Sequence, residues 1–269
     1  MDTETNGQGT SPAVRPKINR VFIGLDPRQV IAFTVASCSI IDSTRTPVAI
    51  TPLVYQTLPL TIGGLTPFTW SRFLVPWLCG YEGWAAFLDA DTFARGDINE
   101  LFELAGDKYA VMVSDAATGN LAFERAAVML FNCGHPDNKM LTPELVNAQK
   151  EEGKRIGLHG CKWTKNVGTF PGSWNHLVHY MQPDPNAQLV HFTQGVPCWP
   201  ETKDGEHSAE WQQTAQKAFT AQPWETLMGN SVHAKPVMDR MIAQRAAAGG
   251  AAMNGTSGNA QHAAVPGVA

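Results

Sequence analysis

The sequence predicts an α/β fold in which a mixed, mostly parallel sheet is flanked by helices. Short apolar runs rich in branched side chains alternate with segments of helical spacing. The apolar runs are nearly continuous, as expected for strands buried on both faces. Several runs end in Asp or His, and ligands of open α/β sheets bind beyond the carboxyl ends of the strands. We therefore expect the functional site at that edge.

The composition is that of an ordinary globular protein. Of 269 residues, 43% are hydrophobic and 16% charged, with a net charge of −4. These values argue against broad disorder and against a basic nucleic-acid-binding surface. No apolar run approaches the roughly 20 residues of a membrane helix, and the first residues lack the pattern of a secretory signal. With five dispersed cysteines that suggest buried thiols, we expect a cytoplasmic protein without a membrane span.

The two ends of the chain differ from its centre. Residues 1–19 and 246–269 are polar or rich in Gly and Ala, and neither shows an apolar period. We expect both to be disordered tails around a single domain at residues 20–245.

The predicted elements alternate along the first half of that domain. Residues 20–26 form an apolar strand, and residues 29–40 have helical spacing. Residues 48–55 are a second strand, placed at an edge or an end by Pro52. Residues 70–78 are predicted to be helical, with Pro76 ending or kinking the helix.

The second half begins with a buried strand at 84–93 that runs into acidic residues. Asp97 and Glu100 then have the spacing of a capping box for a helix that ends near residue 104. The remaining predictions are strands at 109–115, 126–132 and 187–193, followed by helices at 208–221 and 231–245.

Common phosphate and nucleophile motifs are absent from the sequence. There is no P-loop, no G-x-G-x-x-G after a strand and no G-x-S-x-G turn. The remaining feature is Asp89-Ala90-Asp91 at the end of a buried run. Two such carboxylates repel each other and lose hydration, which is costly unless a cation or hydrogen-bond donors neutralise them. The alternative is a solvated turn with Asp as a cap.

Oxygen ligands of this kind suit Mg²⁺ or Mn²⁺ that bridges the phosphates of a nucleotide. His191, at the end of another apolar run, would shift the preference towards Mn²⁺. Gly195 follows it, at a point where the backbone could approach a ligand. The alternative for His191 is a hydrogen-bonded histidine of the core.

Four segments resemble the family-8 glycosyltransferases. Residues 66–104 resemble the donor-binding core, with an Arg on a helix, a strand ending in LDAD and a D-I-x-E-L helix. Residues 126–133 resemble the next strand, and residues 191–199 the late His-x-x-Gly segment. Residues 21–40 contain the I-G-x-D-x-R pattern of divergent bacterial and phage-type relatives. The resemblance covers residues 20–211.

The resemblance implies a GT-A fold, a nucleotide-diphosphate sugar donor, most simply a UDP-sugar, and bound Mn²⁺ or Mg²⁺. It makes Asp89 and Asp91 metal or donor-ribose ligands and His191 the third protein ligand. Arg72 would lie against the donor sugar or diphosphate, where its fork of donors suits phosphate or paired hydroxyls. The alternative for Arg72 is a salt bridge to an Asp of the same loop.

Further donor-binding residues follow from the same resemblance. Asp26 and Arg28 would hold the nucleotide base and pyrophosphate, although Asp26 could equally cap a helix. Gly195 and Trp199 would also contact the donor, and Trp199 is the best stacking candidate because it follows the His191 loop.

The chain departs from the family in two places. Trp174 and Asn175 stand where most members carry an Asp-Gln pair near the reacting sugar, and we take these two as the catalytic candidates. The late Lys of the family pattern is replaced by Cys198-Trp199-Pro200. The family otherwise implies transfer with retention of configuration.

The sequence thus predicts a hexosyltransferase-type enzyme, with two alternatives. The run FLDADTF also matches a HAD-like phosphatase with Asp89 as nucleophile, but no second acid stands where its later metal motif needs one. The other alternative is a nucleotide-sugar binding protein without turnover. The acceptor stays open among a glycan, a protein, a small molecule and a modified nucleobase, and so does the formation of a homo-oligomer.

Overall fold

The computed structural model describes residues 18–219, 239–240, 242–244 and 246. By its contacts the chain divides into two units, Met1–Phe219 and Thr220–Ala269. In the second unit, the described residues are helical. The predicted disordered tails lie outside the described residues, apart from positions 18, 19 and 246 at their inner ends. Most of the predicted helix at 231–245 also lies outside them.

A six-stranded mixed sheet forms the centre of the first unit. Its strand order is β2-β1-β3-β6-β5-β7, and every neighbouring pair is parallel except the two that involve β6. The predicted mostly parallel sheet is therefore confirmed, with β2 and its Pro52 at an edge. The strands of this sheet are β1 (Asn19–Gly24), β2 (Val48–Leu53), β3 (Trp84–Leu88), β5 (Val111–Ser114), β6 (Val128–Asn132) and β7 (Val167–Phe170).

A second, three-stranded sheet contains β4 (Thr92–Ala94), β8 (His176–Leu177) and β9 (Leu189–His191) in the order β4-β9-β8. The predicted strand at 84–93 is consequently two strands, β3 and β4. A turn separates them, closed by hydrogen bonds from the backbone N–H and the hydroxyl of Thr92 to the Asp89 carbonyl at 3.3 and 2.8 Å. The predicted strand at 187–193 is shorter and belongs to this second sheet.

Six α-helices accompany the sheets within residues 18–219. The helix predicted at 70–78 is broken, because a 3₁₀ turn at Arg72–Leu74 separates α2 from α3 and Pro76 near the start of α3 has no N–H to donate. None of the described helices is long and apolar enough to cross a membrane. The helices are α1 (Val30–Ser43), α2 (Phe68–Ser71), α3 (Val75–Leu78), α4 (Ile98–Glu103), α5 (Pro143–Ala148) and α6 (Ser208–Phe219).

Side-chain contacts cap α4 and join α4 and α1 to other parts of the first unit. The Asp97 carboxylate accepts a hydrogen bond from the Asn99 N–H and so caps α4, as its sequence position predicts. Glu100 forms an ion pair with Arg45. On α1, the hydroxyl of Ser39 accepts a hydrogen bond from the N–H of Ala94 at 2.9 Å, which ties this helix to β4.

Candidate active site

The turn between β3 and β4 carries the two predicted acids, of which Asp89 is buried and Asp91 is partly exposed. The Asp89 N–H donates to the Ala127 carbonyl at 2.9 Å, and the Asp91 carbonyl accepts from the Phe192 N–H at 3.0 Å. β3 is fully buried from Ala85 to Leu88, so the chain reaches the turn from the middle of the main sheet. The turn is therefore anchored to both sheets.

His191 lies directly opposite this turn. In the antiparallel pairing of β4 with β9, Thr92 faces His191. The His191 Nε2 lies 3.2 Å from Asp91 Oδ1. The predicted convergence of Asp89, Asp91 and His191 is present, but its expected cause is wrong. The histidine arrives through antiparallel pairing in the second sheet, and not through the shared edge of parallel strands.

Asn175 sets the orientation of the imidazole. Its Oδ1 lies 3.0 Å from His191 Nδ1, and an amide oxygen can only accept, so Nδ1 carries a proton and donates it. His191 Nε2 is then the nitrogen that faces the carboxylates. A second hydrogen bond on the far nitrogen is the usual support of a metal-binding histidine.

Arg72 forms the ion pair that the sequence left as its alternative role. Its Nη2 lies 2.9 Å from Asp89 Oδ1, and both side chains are about nine-tenths buried. Nη1 donates to the Ala126 carbonyl at 2.6 Å and Nε donates to the Phe68 carbonyl at 3.2 Å. The guanidinium also lies 4.8 Å from the centre of the Phe87 ring. Arg72 thus holds the Asp89 carboxylate in one orientation.

The residues fit a divalent cation. Asp89, Asp91 and His191 each offer a ligand atom, and these atoms lie within 4.8 Å of one another. Asp89 Oδ1 and Asp91 Oδ1 are buried and, within the described chain, have no well-aligned hydrogen-bond donor despite the nearby cationic side chains. Buried carboxylate oxygens without a good hydrogen bond are costly, and a bound divalent cation would coordinate both of these oxygens.

The pKa values of the cluster reflect burial against mutual attraction. Burial raises the pKa of Asp89 to about 7, while Arg72 acts in the opposite direction. Burial also acts to raise the pKa of Asp91. The attraction and the hydrogen bond of His191 act to lower it, and the resulting pKa lies below its ordinary value. Burial lowers the pKa of His191, and the carboxylates, chiefly that of Asp91, raise it more, to about 9. In the absence of a metal ion, the protonated imidazole of His191 therefore balances the negative charge of Asp91.

Glu124 belongs to the same cluster, although the sequence analysis missed it. It ends a 3₁₀ helix, Gly119–Glu124, and its Oε2 lies 3.9 Å from His191 Nδ1. Burial raises the pKa of its carboxyl group. No periodicity or motif marks Glu124. The one signal in the sequence is its place just before the apolar run that forms β6.

Asp26 and Arg28 lie in the loop that follows β1. They form an ion pair of 2.6 Å, and the Asp26 carboxylate also accepts the Arg28 N–H, so Asp26 closes its own turn and does not cap α1. Asp26 and Asp91 line one small cavity of about 80 Å³. Arg28 lines an adjoining cavity of about 250 Å³ together with Tyr55 and residues 63–67. Both cavities share Thr66.

The other predicted site residues lie apart from the carboxylates. Trp174 is buried and lines a different cavity of about 490 Å³ beside α4, although its neighbour Asn175 contacts His191. Gly195 has a φ of +114°, in the region that favours glycine, and a side chain there would meet Trp199 at 3.3 Å. Trp199 is about half exposed. Gly195 thus allows the turn on which Trp199 packs.

One sequence comparison extends over most of the chain. Protein CDI of Arabidopsis thaliana is 35% identical over 242 residues, a match that covers 78% of this chain and 90% of that protein. No family model matches the chain.

Solved structures with the same architecture are glycosyltransferases. GlyE of Streptococcus pneumoniae TIGR4 matches with a TM-score of 0.57 and 15% identity, covering 79% of this chain and 63% of that one. The bifunctional glycosyltransferase WbbM has a TM-score of 0.55 and 13% identity, covering 82% of this chain and 52% of that one. The galactosyltransferase LgtC, solved with donor and acceptor sugar analogues, has a TM-score of 0.53 and 14% identity, covering 77% and 98%.

This chain therefore spans less than two thirds of the length of GlyE and of WbbM. At such low identity these matches establish the fold, which is the GT-A fold that the resemblance implied. The phosphatase alternative loses its support, since the fold is that of glycosyltransferases and the carboxylate of Asp89, its required nucleophile, is ion-paired with Arg72.

Proposed function

We propose that this chain, which belongs to the family of Arabidopsis thaliana Protein CDI, is a metal-dependent glycosyltransferase that uses a nucleotide-diphosphate sugar, and specifically a UDP-sugar. The observation that carries the proposal is the convergence of Asp89, Asp91 and His191, whose ligand atoms lie within 4.8 Å of one another. The glycosyltransferases that share the fold support it, as does the resemblance to family 8.

The charge of the cluster agrees with a divalent ion. Metal binding requires ionised carboxylates and a neutral His191. In that state, with Glu124 also ionised, the carboxylates of Asp89, Asp91 and Glu124 and the guanidinium of Arg72 carry a net charge of −2. Bound Mn²⁺ or Mg²⁺ would supply Lewis-acid stabilisation of the negative charge that grows on the departing diphosphate. Asp89, Asp91 and His191 would hold the ion, while Arg72 and Asn175 keep Asp89 and His191 in position.

The donor would follow the loop after β1 towards the turn. We propose that the nucleoside occupies the cavity lined by Arg28 and Tyr55, and that the diphosphate passes Asp26 to reach Asp91, since the adjoining cavities lead there. The exposed ring of Trp199, held by the turn at Gly195, is available to stack on a sugar or base.

The residues that we propose for the acceptor side of the reaction are those that contact His191. Asn175 is kept as a site residue because it contacts His191, and the partly buried carboxyl group of Glu124 is added to it. Trp174 is kept as a support for Asn175. By the resemblance to family 8 we propose retention of configuration, which the NMR spectrum of the first-formed product tests. An inverted product would refute retention alone.

The proposal also covers the cellular location of the protein and the residues that form its functional domain. All five cysteines are free thiols, which is typical of proteins in a reducing compartment and supports a cytoplasmic location. We propose residues 20–245 as the functional domain and leave the acceptor and any homo-oligomer to experiment.

A thermal-shift panel of nucleotide sugars with and without Mn²⁺ identifies the donor, because a ligand of the native state raises Tm.

The decisive variant is Asp91→Asn, which removes a charge and keeps the shape. We expect a folded protein whose metal-dependent UDP binding and turnover fall by at least about a hundredfold. Asp204→Asn, which neutralises an exposed carboxylate outside the cluster, is the matched control and should behave as wild type. An Asp91→Asn protein with full metal-dependent activity would sink the proposal. If wild type binds UDP-sugar but releases no UDP, the chain is a binding protein.

A further inference from the structure

A second group of metal-ligating side chains lies where β8 meets the start of α6, and it shares no residue with the candidate active site. His176, in β8, is fully buried, and its Nε2 lies 3.0 Å from Glu206 Oε2. His207, just before α6, places its Nε2 3.1 Å from Glu206 Oε1. All three ligand atoms lie within 4.8 Å of one another.

The backbone around this group supplies a fourth candidate ligand atom. The Asp184 carbonyl lies 3.1 Å from His207 Nε2, and the Asp184 N–H donates to Glu206 Oε1 at 2.7 Å. The loop at Asp184 is thus fixed to the two side chains that precede α6. Ligands bonded to one tetrahedral ion at about 2.0–2.2 Å are themselves roughly 3.3–3.6 Å apart, so ligand atoms within 4.8 Å of one another need only a small inward shift to surround an ion.

His207 is held in an unusual conformation. Its φ is +57°, in the left-handed region that a residue with a side chain seldom adopts. Its Nδ1 lies 3.4 Å from Glu210 Oε1, and the Glu210 carboxylate is in turn paired with Arg95 at 2.7 Å. A carboxylate beside the far nitrogen is the common support of a metal-bound imidazole. The strained backbone and this support both direct His207 Nε2 towards Glu206.

From this geometry we propose that His176, Glu206 and His207 bind a zinc ion, with the Asp184 carbonyl as a fourth ligand. Two imidazoles with one carboxylate are a donor set of zinc sites, whereas Mg²⁺ and Ca²⁺ prefer oxygen ligands only. The ion would join β8, the loop at Asp184 and the start of α6. Its role is structural, and it is independent of the sugar-transfer proposal.

One feature sets the expected strength of binding. His176 Nδ1 is buried without a hydrogen-bond partner in the described part of the chain. When Nε2 binds a metal, the remaining proton must reside on this nitrogen, which has no acceptor. We therefore expect a site that a strong chelator empties, unlike a site whose outer hydrogen bonds are complete.

The test measures zinc directly in the full-length chain. After chelator treatment, zinc is added, the excess is removed by buffer exchange, and bound metal is counted by mass spectrometry. We expect about one equivalent in the Asp91→Asn background, which removes the first site as a competitor, and a higher Tm with zinc than without it. X-ray absorption of that protein should show two imidazole ligands. An Asp91→Asn protein without zinc, or with one imidazole ligand, would overturn the proposal.

Two variants locate the ion. Glu206→Gln keeps an acceptor for Asp184 but loses the charge, and His207→Asn removes an imidazole while Asn tolerates the left-handed backbone. In the Asp91→Asn background, each should lose the bound zinc and the zinc-dependent rise in Tm. His135→Asn is the matched control, since the His135 imidazole also lies beside a carboxylate, that of Asp137, and is not part of this cluster. Zinc retained by both variants, or lost equally by the control, would refute the assignment. If a variant does not fold, the number of imidazole ligands that X-ray absorption shows in the Asp91→Asn protein decides whether the proposal holds.

Discussion

The guanidinium of Arg72 contacts the Asp89 carboxylate, two backbone carbonyls and the Phe87 ring. Because it is buried, none of these contacts can be replaced by water. The same arginine was expected from sequence to bind the donor. In the structure it holds the Asp89 carboxylate of the turn that would bind the metal, while its contact with a donor stays a prediction. Its loss should therefore appear in the stability of the fold.

We expect Arg72→Ala to reduce the free energy of unfolding by about 3–5 kcal/mol, because it leaves the buried Asp89 carboxylate unpaired. Urea denaturation of the two proteins measures this. Lys154→Ala, which breaks the exposed pair with Glu151, provides the comparison and should cause a much smaller loss. Equal effects of the two substitutions would contradict the proposed structural role of Arg72.

Asn175 should act through His191. We expect Asn175→Ala to weaken Mn²⁺ affinity about 10–100-fold, since the imidazole loses the acceptor that fixes its orientation. Isothermal titration with Mn²⁺ measures the change, and circular dichroism checks the fold. Asn166→Ala, at an asparagine outside the cluster, should leave the affinity unchanged. Unaltered binding by Asn175→Ala would show that the ring is held by other contacts.

The sequence identified most of the candidate cluster at this scale. Asp89, Asp91 and His191 were recognisable because each lies at the end of an apolar run and together they match a known pattern. Glu124 was not, because a lone acid in a 3₁₀ helix has no distinctive spacing and only the fold brings it near His191. The cluster at His176, Glu206 and His207 was equally hidden.

Among the elements, α4 shows how local sequence becomes structure. Asp97 caps this helix and also accepts hydrogen bonds from the Arg45 N–H at 3.0 Å and the Thr44 hydroxyl at 3.1 Å. One carboxylate therefore links α4 to the loop between α1 and β2. Burial acts to raise the pKa of Asp97. Hydrogen bonds from the backbone N–H groups of Asn99 and Arg45 act to lower it, and the resulting pKa lies below the ordinary value of 3.8.

We expect Asp97→Ala to lower the free energy of unfolding by about 1 kcal/mol or more, the usual scale for loss of a helix cap. Asp97→Asn keeps an acceptor and should cost less at pH 7. The lowered pKa stabilises the fold above pH 3.8, and this contribution is lost as the pH falls through the folded-state value. Urea titrations should therefore show the gap between wild type and Asp97→Asn closing below that pH. A gap that stays constant would be evidence against the linkage.

Strand boundaries were the least predictable feature at this scale. The run at 84–93 appears continuous in sequence, yet the chain turns at Asp89 and continues in another sheet. The short strands β7 and β8 and the helix α5 were not predicted. Their few residues carry too little periodicity, and they are stabilised by neighbours distant in sequence.

For the whole molecule, we expect that residues 1–17 and 247–269 can be removed with little effect on folding or donor binding. The buried core of the described chain is built from residues between Val21 and Trp211. Tm and UDP affinity of the shortened chain check this against the full chain. A truncated protein that does not fold, or that binds UDP tenfold more weakly, would contradict the expectation.

The sequence by itself determined the fold class, most strands of the main sheet, the cap of α4 and three residues of the candidate cluster. These follow from local patterns of apolar and polar residues or from a motif of fixed order. The tertiary structure alone decided that β9 pairs with β4 in a second sheet, that Arg72 holds Asp89, that Asn175 and Glu124 flank His191, and that His176 meets His207 across Glu206. The physical reason is that these contacts join residues far apart in the chain, whose approach depends on the packing of whole elements and leaves no periodic trace in the sequence.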